Sequence, residues 1–271
     1  MDTESKINSF LTIYNNLSLT LYVCQRYTGG SEWYHPDVYS SFTRLYFMMD
    51  GESSIQNQQG RVILRPGYVY LIPPFTTNTY QCTTHLDKWY VHCNVEVYSS
   101  YNLFAGSNSI LSCPFHPMEA TSYFRAVQTG QIQDTVALTA YLYKTMASFL
   151  QLLPEVDFQT LRSLEKYKEM HRYIKDHVSA ALTPKTVASY MGCKENTLYK
   201  HYKADTGFTV KQTIDRQLIA KAQMLLDTTA LSIRMISDEL EFCDEFYFSN
   251  FFHRLTGMRP AAYRKRSLFM D

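Results

Sequence analysis

The chain has 271 residues, 45% of them hydrophobic and 19% charged, the make-up of a soluble globular protein with room for two domains. No run of eighteen apolar residues occurs and the start, MDTESKINSF, is polar and acidic, so neither a membrane span nor a secretory leader is expected. The net charge of +1 hides an asymmetry: residues 1–160 carry 8 Lys and Arg against 12 Asp and Glu, whereas residues 161–271 carry 18 against 13. That split points to a polyanionic partner for the second half alone. Six cysteines without a CxxC pair or framework spacing read as free thiols of a reducing cytoplasm.

In the first half, Leu19–Gln25 alternates as a strand does, and Arg44–Asp50 is a second strand ending in Asp50-Gly51, a hairpin signal. Ile55–Asn57, a turn at Gln59-Gly60, Val62–Leu64, a turn at Arg65-Pro66-Gly67 and Tyr68–Ile72 follow, stopping at Pro73-Pro74. Asn78–Gln81 and Lys88–Asn94 complete seven or eight short strands. Close spacing with turn signals predicts an antiparallel jelly-roll barrel of the cupin type, whose mouth offers a ligand cavity. A metal centre on such a barrel needs clustered ligands, and here His85 and His92 stand seven apart with no HxH in the chain. No GxSxG elbow or Gly-rich phosphate loop occurs either, so neither enzyme chemistry, nor a metal, nor a cofactor is expected. What remains is a cavity lined by aromatic and polar groups, with Tyr46, Tyr70, Tyr80, Lys88, Tyr90 and His92 as its candidates. Trp89 and Tyr90 point to opposite faces of their strand, so only one of them lines the interior. From Asp134 to Leu153 the period becomes helical, with surplus apolar residues for the barrel or for a second subunit. The acidic stretch Pro154–Gln159 marks the boundary between domains 1–160 and 161–271.

The second half is predicted all-α. Leu161–His177 is helical by pattern, with Tyr167, His171 and Ile174 on one side. Thr183-Pro184 starts a helix with Val187, Ala188 and Met191 inward, Gly192 turns the chain, and a second helix runs from Glu195 to Asp205. Leu198 and Tyr202 face inward there, leaving Asn196, Tyr199, Lys200 and Lys203 outside. This is a helix-turn-helix, with Ala188 allowing close approach and Gly192 the tight turn. The layout recurs in Leu231–Arg264, with one extra residue in its turn and the same Thr-Gly ending. Val210, Ile214, Leu218, Ala222, Leu225 and Leu226 mark a single helix joining the two units. Two such units on a rigid connector suit successive major grooves of double-stranded DNA, about 34 Å apart.

Residues Glu165–Arg264, and above all YFSNFFHRLTGMRPAAYR and AKAQMLL, resemble the DNA-binding domain of the AraC/XylS family of bacterial transcription regulators. RPGYVYLIPP, Tyr80 and WYVH resemble, more weakly, that family's cupin-like sensor. The resemblance implies operator DNA, a small-molecule effector such as a carbohydrate, a second copy of the chain and RNA polymerase as partners. Glu241 stands where the family has Gly in the turn, Asn250 where Arg is frequent, and Leu218 where an Arg is common. Asp50, Lys88 and Tyr90 replace sugar-contacting residues, which argues against arabinose itself. Asn196, Tyr199 and Lys200 are assigned to base edges, as are Glu245, Ser249 and Asn250 in the second unit. Lys203, His253, Arg254 and Arg259 are assigned to phosphates.

Overall fold

Apolar alternation along the first half becomes eight strands. The computed structural model describes residues 10–11, 13–98, 101–153 and 164–270, with side chains as far as residue 265. The strands are β1 (Leu17–Gly29), β2 (Tyr34–Ser40), β3 (Thr43–Asn57), β4 (Gly60–Leu64), β5 (Tyr68–Ile72), β6 (Thr76–Val97), β7 (Tyr101–Asn102) and β8 (Leu111–Pro114). They form one sheet in the order β1-β6-β3-β5-β8, with β2 and β7 also on β6 and β4 on β3. Strand pairs β2–β6, β3–β4, β3–β5, β3–β6, β5–β8 and β6–β7 are all antiparallel.

Two predicted breaks are absent. Asp50-Gly51 is no hairpin: β3 continues through it, and its register against β6 shifts between Met48 and Asp50 and again between Gly51 and Ser53. Gly51 takes φ +77° so closely under β6 that a Cβ would stand 2.1 Å from the His85 carbonyl oxygen. Glycine here permits a bulge inside a long strand, a use of Gly that looks like a turn in sequence. Likewise Asn78–Gln81 and Lys88–Asn94 belong to one 22-residue strand, β6, whose exposed polar middle (Thr83, Thr84, His85) mimics a loop. The turn at Gln59-Gly60 is present, with Asn57 paired to Gly60 and its Oδ1 accepting from Gln59 N at 2.8 Å.

The β3–β6 pairing sorts side chains onto two faces. Arg44 lies opposite His92, Tyr46 opposite Tyr90 and Met48 opposite Lys88, and the residues between them point the other way. The first face joins Trp33, Ile55, Leu64, Tyr70, Tyr80 and Leu86 in one buried core. The second packs on helices α1 (Pro117–Phe124), α2 (Ala126–Thr129) and α3 (Ile132–Leu150). There Trp89 stacks on Phe124 at 4.7 Å and Phe47 meets Phe124 edge-on at 5.1 Å. Helix α3 buries Leu138, Leu142, Met146 and Phe149 of the expected stripe together with Tyr141, while Val136, also expected in it, is 60% exposed; it starts at Ile132 and ends at Leu150.

The rest is helical: α4 (Lys168–Asp176), α5 (Pro184–Tyr190), α6 (Glu195–Thr206), α7 (Val210–Thr228), α8 (Ile233–Glu239), α9 (Glu245–Thr256) and α10 (Pro260–Met270). The helix expected over Leu161–His177 is interrupted by a turn at Lys166-Tyr167, where the Tyr167 backbone leaves helical geometry. Residues 161–163 and the boundary Pro154–Gln159 lie outside the described residues. Tyr167, Met170, Ile174, Leu182, Val187, Ala188, Leu198, Tyr202, Val210 and Ile214 build one core under the first helix-turn-helix. By contact the chain forms two compact units, one holding residues 19–94, 104–153 and 252–270, the other the described parts of 10–18, 95–103 and 164–251. Among the described residues no helix is long and apolar enough to cross a membrane.

Replacing Gly51 with Ala should destabilise the fold by about 2 kcal/mol or more, because both the positive φ and the close backbone resist a Cβ. A urea titration that left the unfolding midpoint unchanged would contradict this account of the bulge.

Candidate nucleic-acid interface and sheet interior

The first helix-turn-helix is set by local chemistry. Thr183 caps α5, its Oγ1 accepting from Thr186 N at 3.1 Å, with Pro184 in the first turn. Gly192 makes the turn at φ +64°. On α6, Leu198 and Tyr202 are buried, which turns Asn196, Tyr199, Lys200 and Lys203 outward into solvent, as expected. Lys203 Nζ lies 3.4 Å from the Tyr199 hydroxyl, so two of the four steady each other. Behind α6 runs a buried polar chain: His171 Nε2 and Tyr202 Oη are 2.9 Å apart, and Tyr202 Oη and Thr213 Oγ1 again 2.9 Å. Tyr167 adds a bond to Asp205 Oδ2 at 2.8 Å. These bonds fix the rotation of α6 against α4 and α7 more tightly than apolar packing alone. Burial lowers the His171 imidazole to about pKa 4, so it is neutral near pH 7.

The second unit repeats the first down to its caps. Ser232 takes the place of Thr183, its Oγ accepting from Met235 N at 3.1 Å. Glu241 takes the place of Gly192 and adopts the same left-handed backbone, φ +57°. The extra residue follows it: α5 and α6 are separated by residues 191–194, α8 and α9 by 240–244. Asp244 then caps α9, accepting from Tyr247 N at 2.6 Å. Both second helices end alike. Thr206 Oγ1 donates to Tyr202 O at 2.7 Å and accepts from Phe208 N at 3.2 Å; Thr256 Oγ1 donates to Phe252 O at 2.8 Å and accepts from Met258 N at 3.2 Å.

This matching aligns buried Phe248 and Phe252 with Leu198 and Tyr202. Ser249, Asn250 and His253 then correspond to Tyr199, Lys200 and Lys203. Glu245, His253, Arg254 and Arg259 are exposed, while Ser249 and Asn250 are half-buried, less open than their counterparts. The position of Asn196 is taken by Phe246, which is 73% exposed, beside Tyr247 at 57%. The sequence reading assigned neither of them, naming only polar residues of this helix as its outer face. Counting two residues back from Phe248 would have found Phe246.

In the sheet, all six sensor candidates share the inner face. Tyr46, Tyr80 and Tyr90 belong to its core, with Lys88 and His92 buried beside them. Trp89 is the one that points away. Lys88 Nζ lies 3.6 Å from the centre of the Tyr46 ring and 4.0 Å from that of Trp33, with Tyr90 and Tyr27 at 5.6 and 5.7 Å. Burial holds its ammonium well below the usual lysine range, and the charge of Arg44 adds to the effect. His92 stacks on Phe42 at 4.9 Å and is lowered by burial, then by Arg44 and Lys88. Tyr70 is committed to the backbone, accepting from Arg65 N at 2.9 Å and donating to Ile63 O at 3.1 Å. Arg44, not anticipated from sequence, is buried and donates from Nη1 to Tyr80 Oη at 2.9 Å. Asp50 is on the outside, 3.7 Å from His85 Nε2. A separate open hollow of about 210 Å³ lies among Asn57, Gln59, Phe75 and Asn108, and none of the six reaches it.

Two outcomes follow. The folded pKa of His171 lies below its unfolded value, so the unfolded chain binds the proton more tightly between pH 6.5 and 4. Stability should be full above pH 6.5 and fall as the pH drops towards 4, by roughly 3 kcal/mol for this group, with His92 adding to the slope. Unfolding midpoints across that range check it, and His171→Phe should flatten the curve. Glu241→Gly should stabilise the chain by about 1 kcal/mol by relieving the left-handed turn. It should also tighten DNA binding by removing an acid, and a calorimetric midpoint that fell would refute the first half of this.

The family profile described as "Helix-turn-helix domain" matches residues 187–266. The chain is 22% identical to the Msm operon regulatory protein of Streptococcus mutans, over 97% of this chain and 95% of that protein. It is 23% identical to the arabinose operon regulatory protein of Escherichia coli, over 81% and 79%. Among solved structures, ToxT from Vibrio cholerae bound to (E)-4-(8-methylnaphthalen-1-yl)but-3-enoic acid superposes with a TM-score of 0.59 at 11% identity, covering 92% of this chain and 99% of that one. An antiparallel β sheet followed by paired helix-turn-helix units, together with these relatives, gives the chain a DNA-binding helix-turn-helix domain of the AraC type and makes the whole chain similar to AraC-type transcription regulators.

Proposed function

We propose that the chain is an effector-controlled regulator, in which residues 1–160 bind a small molecule and dimerise while residues 161–271 bind operator DNA in the cytoplasm. The observation that carries the DNA half is the matched pair of second helices, α6 and α9, held on one 19-residue connector, α7. At 1.5 Å per residue α7 spans about 28 Å, close to one turn of DNA. Asn196, Tyr199 and Lys200 are the base-reading set of the first unit, with Lys203, His253, Arg254 and Arg259 on phosphates. In the second unit Glu245, Ser249 and Asn250 face the groove beside Phe246, whose ring suits a thymine methyl. The acids Glu241, Asp244 and Glu245 crowd the leading end of α9, so the first unit carries more of the affinity.

Effector control is supported by the names of the relatives, two of them operon regulators and one solved with an organic acid bound. It is supported too by the polar groups that line the sheet's inner face. A second reading, in which the β domain only dimerises, draws on Ile132 and Val136 of α3, which are 74% and 60% exposed. RNA polymerase is the further partner that an activator of this kind would contact.

Lys200→Ala should weaken operator binding by about 1–3 kcal/mol and relax preference at one base pair, and Asn250→Ala should cost less. Gel-shift titrations over operator variants check both, and the reverse ranking would refute the assignment. If the first reading holds, a ligand panel that raises the unfolding midpoint of the full chain will include compounds that also alter operator affinity. A ligand-independent regulator shows neither.

A further inference from the structure

We propose that the inner face of the β sheet is a receptor site for a small anion, a carboxylate or phosphate ester on a ring-stacking body, with its charge between Arg44 and Lys88. This rests on the effector-binding reading above and names the chemistry of the effector.

Arg44 and Lys88 are 2% and 1% exposed and come from adjacent strands of one face, four residue pairs apart along the β3–β6 ladder, with the Tyr46–Tyr90 pair between them on that face. Among the described residues neither is in an ion pair. The nearby carboxylates are otherwise engaged: Asp87 pairs with Arg26 at 2.6 Å, and Asp50 faces outward to His85. Two buried cations without an acid are costly, since each charge has lost its water and repels the other. His92, opposite Arg44 on the same face, feels both charges, so it adds no negative group. A fold that needed only a filled core would place apolar residues at these positions at lower cost.

Unused hydrogen-bonding capacity points the same way. Arg44 Nε, Trp33 Nε1 and both ring nitrogens of His92 are buried with no hydrogen-bond partner. The first two are donors, the complement of an anion's oxygens. Trp33 and Tyr46, whose ring faces meet Lys88 Nζ, are the apolar surfaces nearest the place proposed for a ligand's body. Of the four rings around Lys88, Trp33, Tyr46 and Tyr90 are fully buried and Tyr27 on β1 is half-buried, so the way in lies past Tyr27.

The test is thermal unfolding of the full chain at constant ionic strength, with chloride as the reference and glucose, glucuronate, glucose 6-phosphate and inorganic phosphate as probes. At saturation an anionic probe should raise the midpoint by about 3 °C or more, and glucose should not. The carboxylate and phosphate arms separate the two sources of charge. The rise should vanish in Lys88→Met and in Arg44→Met. Lys88→Met should also raise the midpoint of the probe-free chain, because it removes an unpaired buried charge without removing bulk. Equal shifts with glucose and the anions would overturn the anion assignment and leave effector binding standing. Anion shifts that persist in both variants, no shift with any anion, or a lowered probe-free midpoint in Lys88→Met would each overturn it as well. Effector binding itself would still be decided by the operator-affinity panel.

Discussion

The pairing of β3 with β6 decides what each half of the sheet can do. Because side chains alternate, a slip of one residue would bring Trp89 inside and push Lys88 among the helices. The register is held from Thr43 opposite Cys93 to Gln56 opposite Thr79, with two irregularities absorbed near Gly51. Those irregularities let one long strand keep two stretches in phase with the same core. The inner face collects hydroxyls, cations and an imidazole, while the outer face stacks Phe47 and Trp89 against Phe124. One strand pair thus separates a face rich in polar groups from a purely aromatic and apolar one.

The helical half reaches its geometry by duplication of small devices. A hydroxyl cap opens each first helix, a left-handed residue turns the corner, and a threonine closes each second helix by bonding backward and forward at once. The units differ in what they expose. The first presents an amide, a phenol and two ammonium groups; the second presents an aromatic pair and a cluster of acids. Rigid support also differs, because the chain from His171 through Tyr202 to Thr213 backs the first unit, whereas Phe248 and Phe251 pack under Phe242 in the second. A polar chain fixes orientation and an aromatic cluster fixes distance.

Much of this was legible in the sequence. Alternation placed Tyr46, Tyr80, Tyr90 and His92 on one face because a half-buried strand leaves that signature. The two helix-turn-helix units were legible through their turn residues, and the strain at Glu241 followed from its standing in a glycine's place. Arg44 was not legible, since a charged residue in a strand reads as solvent-facing unless its partners across the sheet are known. Phe246 and Tyr247 were left unassigned for the converse reason: aromatic residues are usually inward, and only the position of Phe248 shows that these two are not. Asp50-Gly51 carried a turn signal that the pairing partner overrode, as local preference often yields to sheet register.

The aromatic enclosure of Lys88 also bears on reactivity. An amine held well below its usual pKa gives up its proton more readily than a surface lysine does, and the neutral form is the nucleophile. Surface lysines are protonated near pH 7 and slow, but accessible. Lys88 is the reverse, lowered in its hold on the proton and buried among Trp33, Tyr46 and Tyr90. Its rate of acylation or reductive methylation is therefore set by how often the rings part, which makes this one side chain a built-in clock for the opening of the domain.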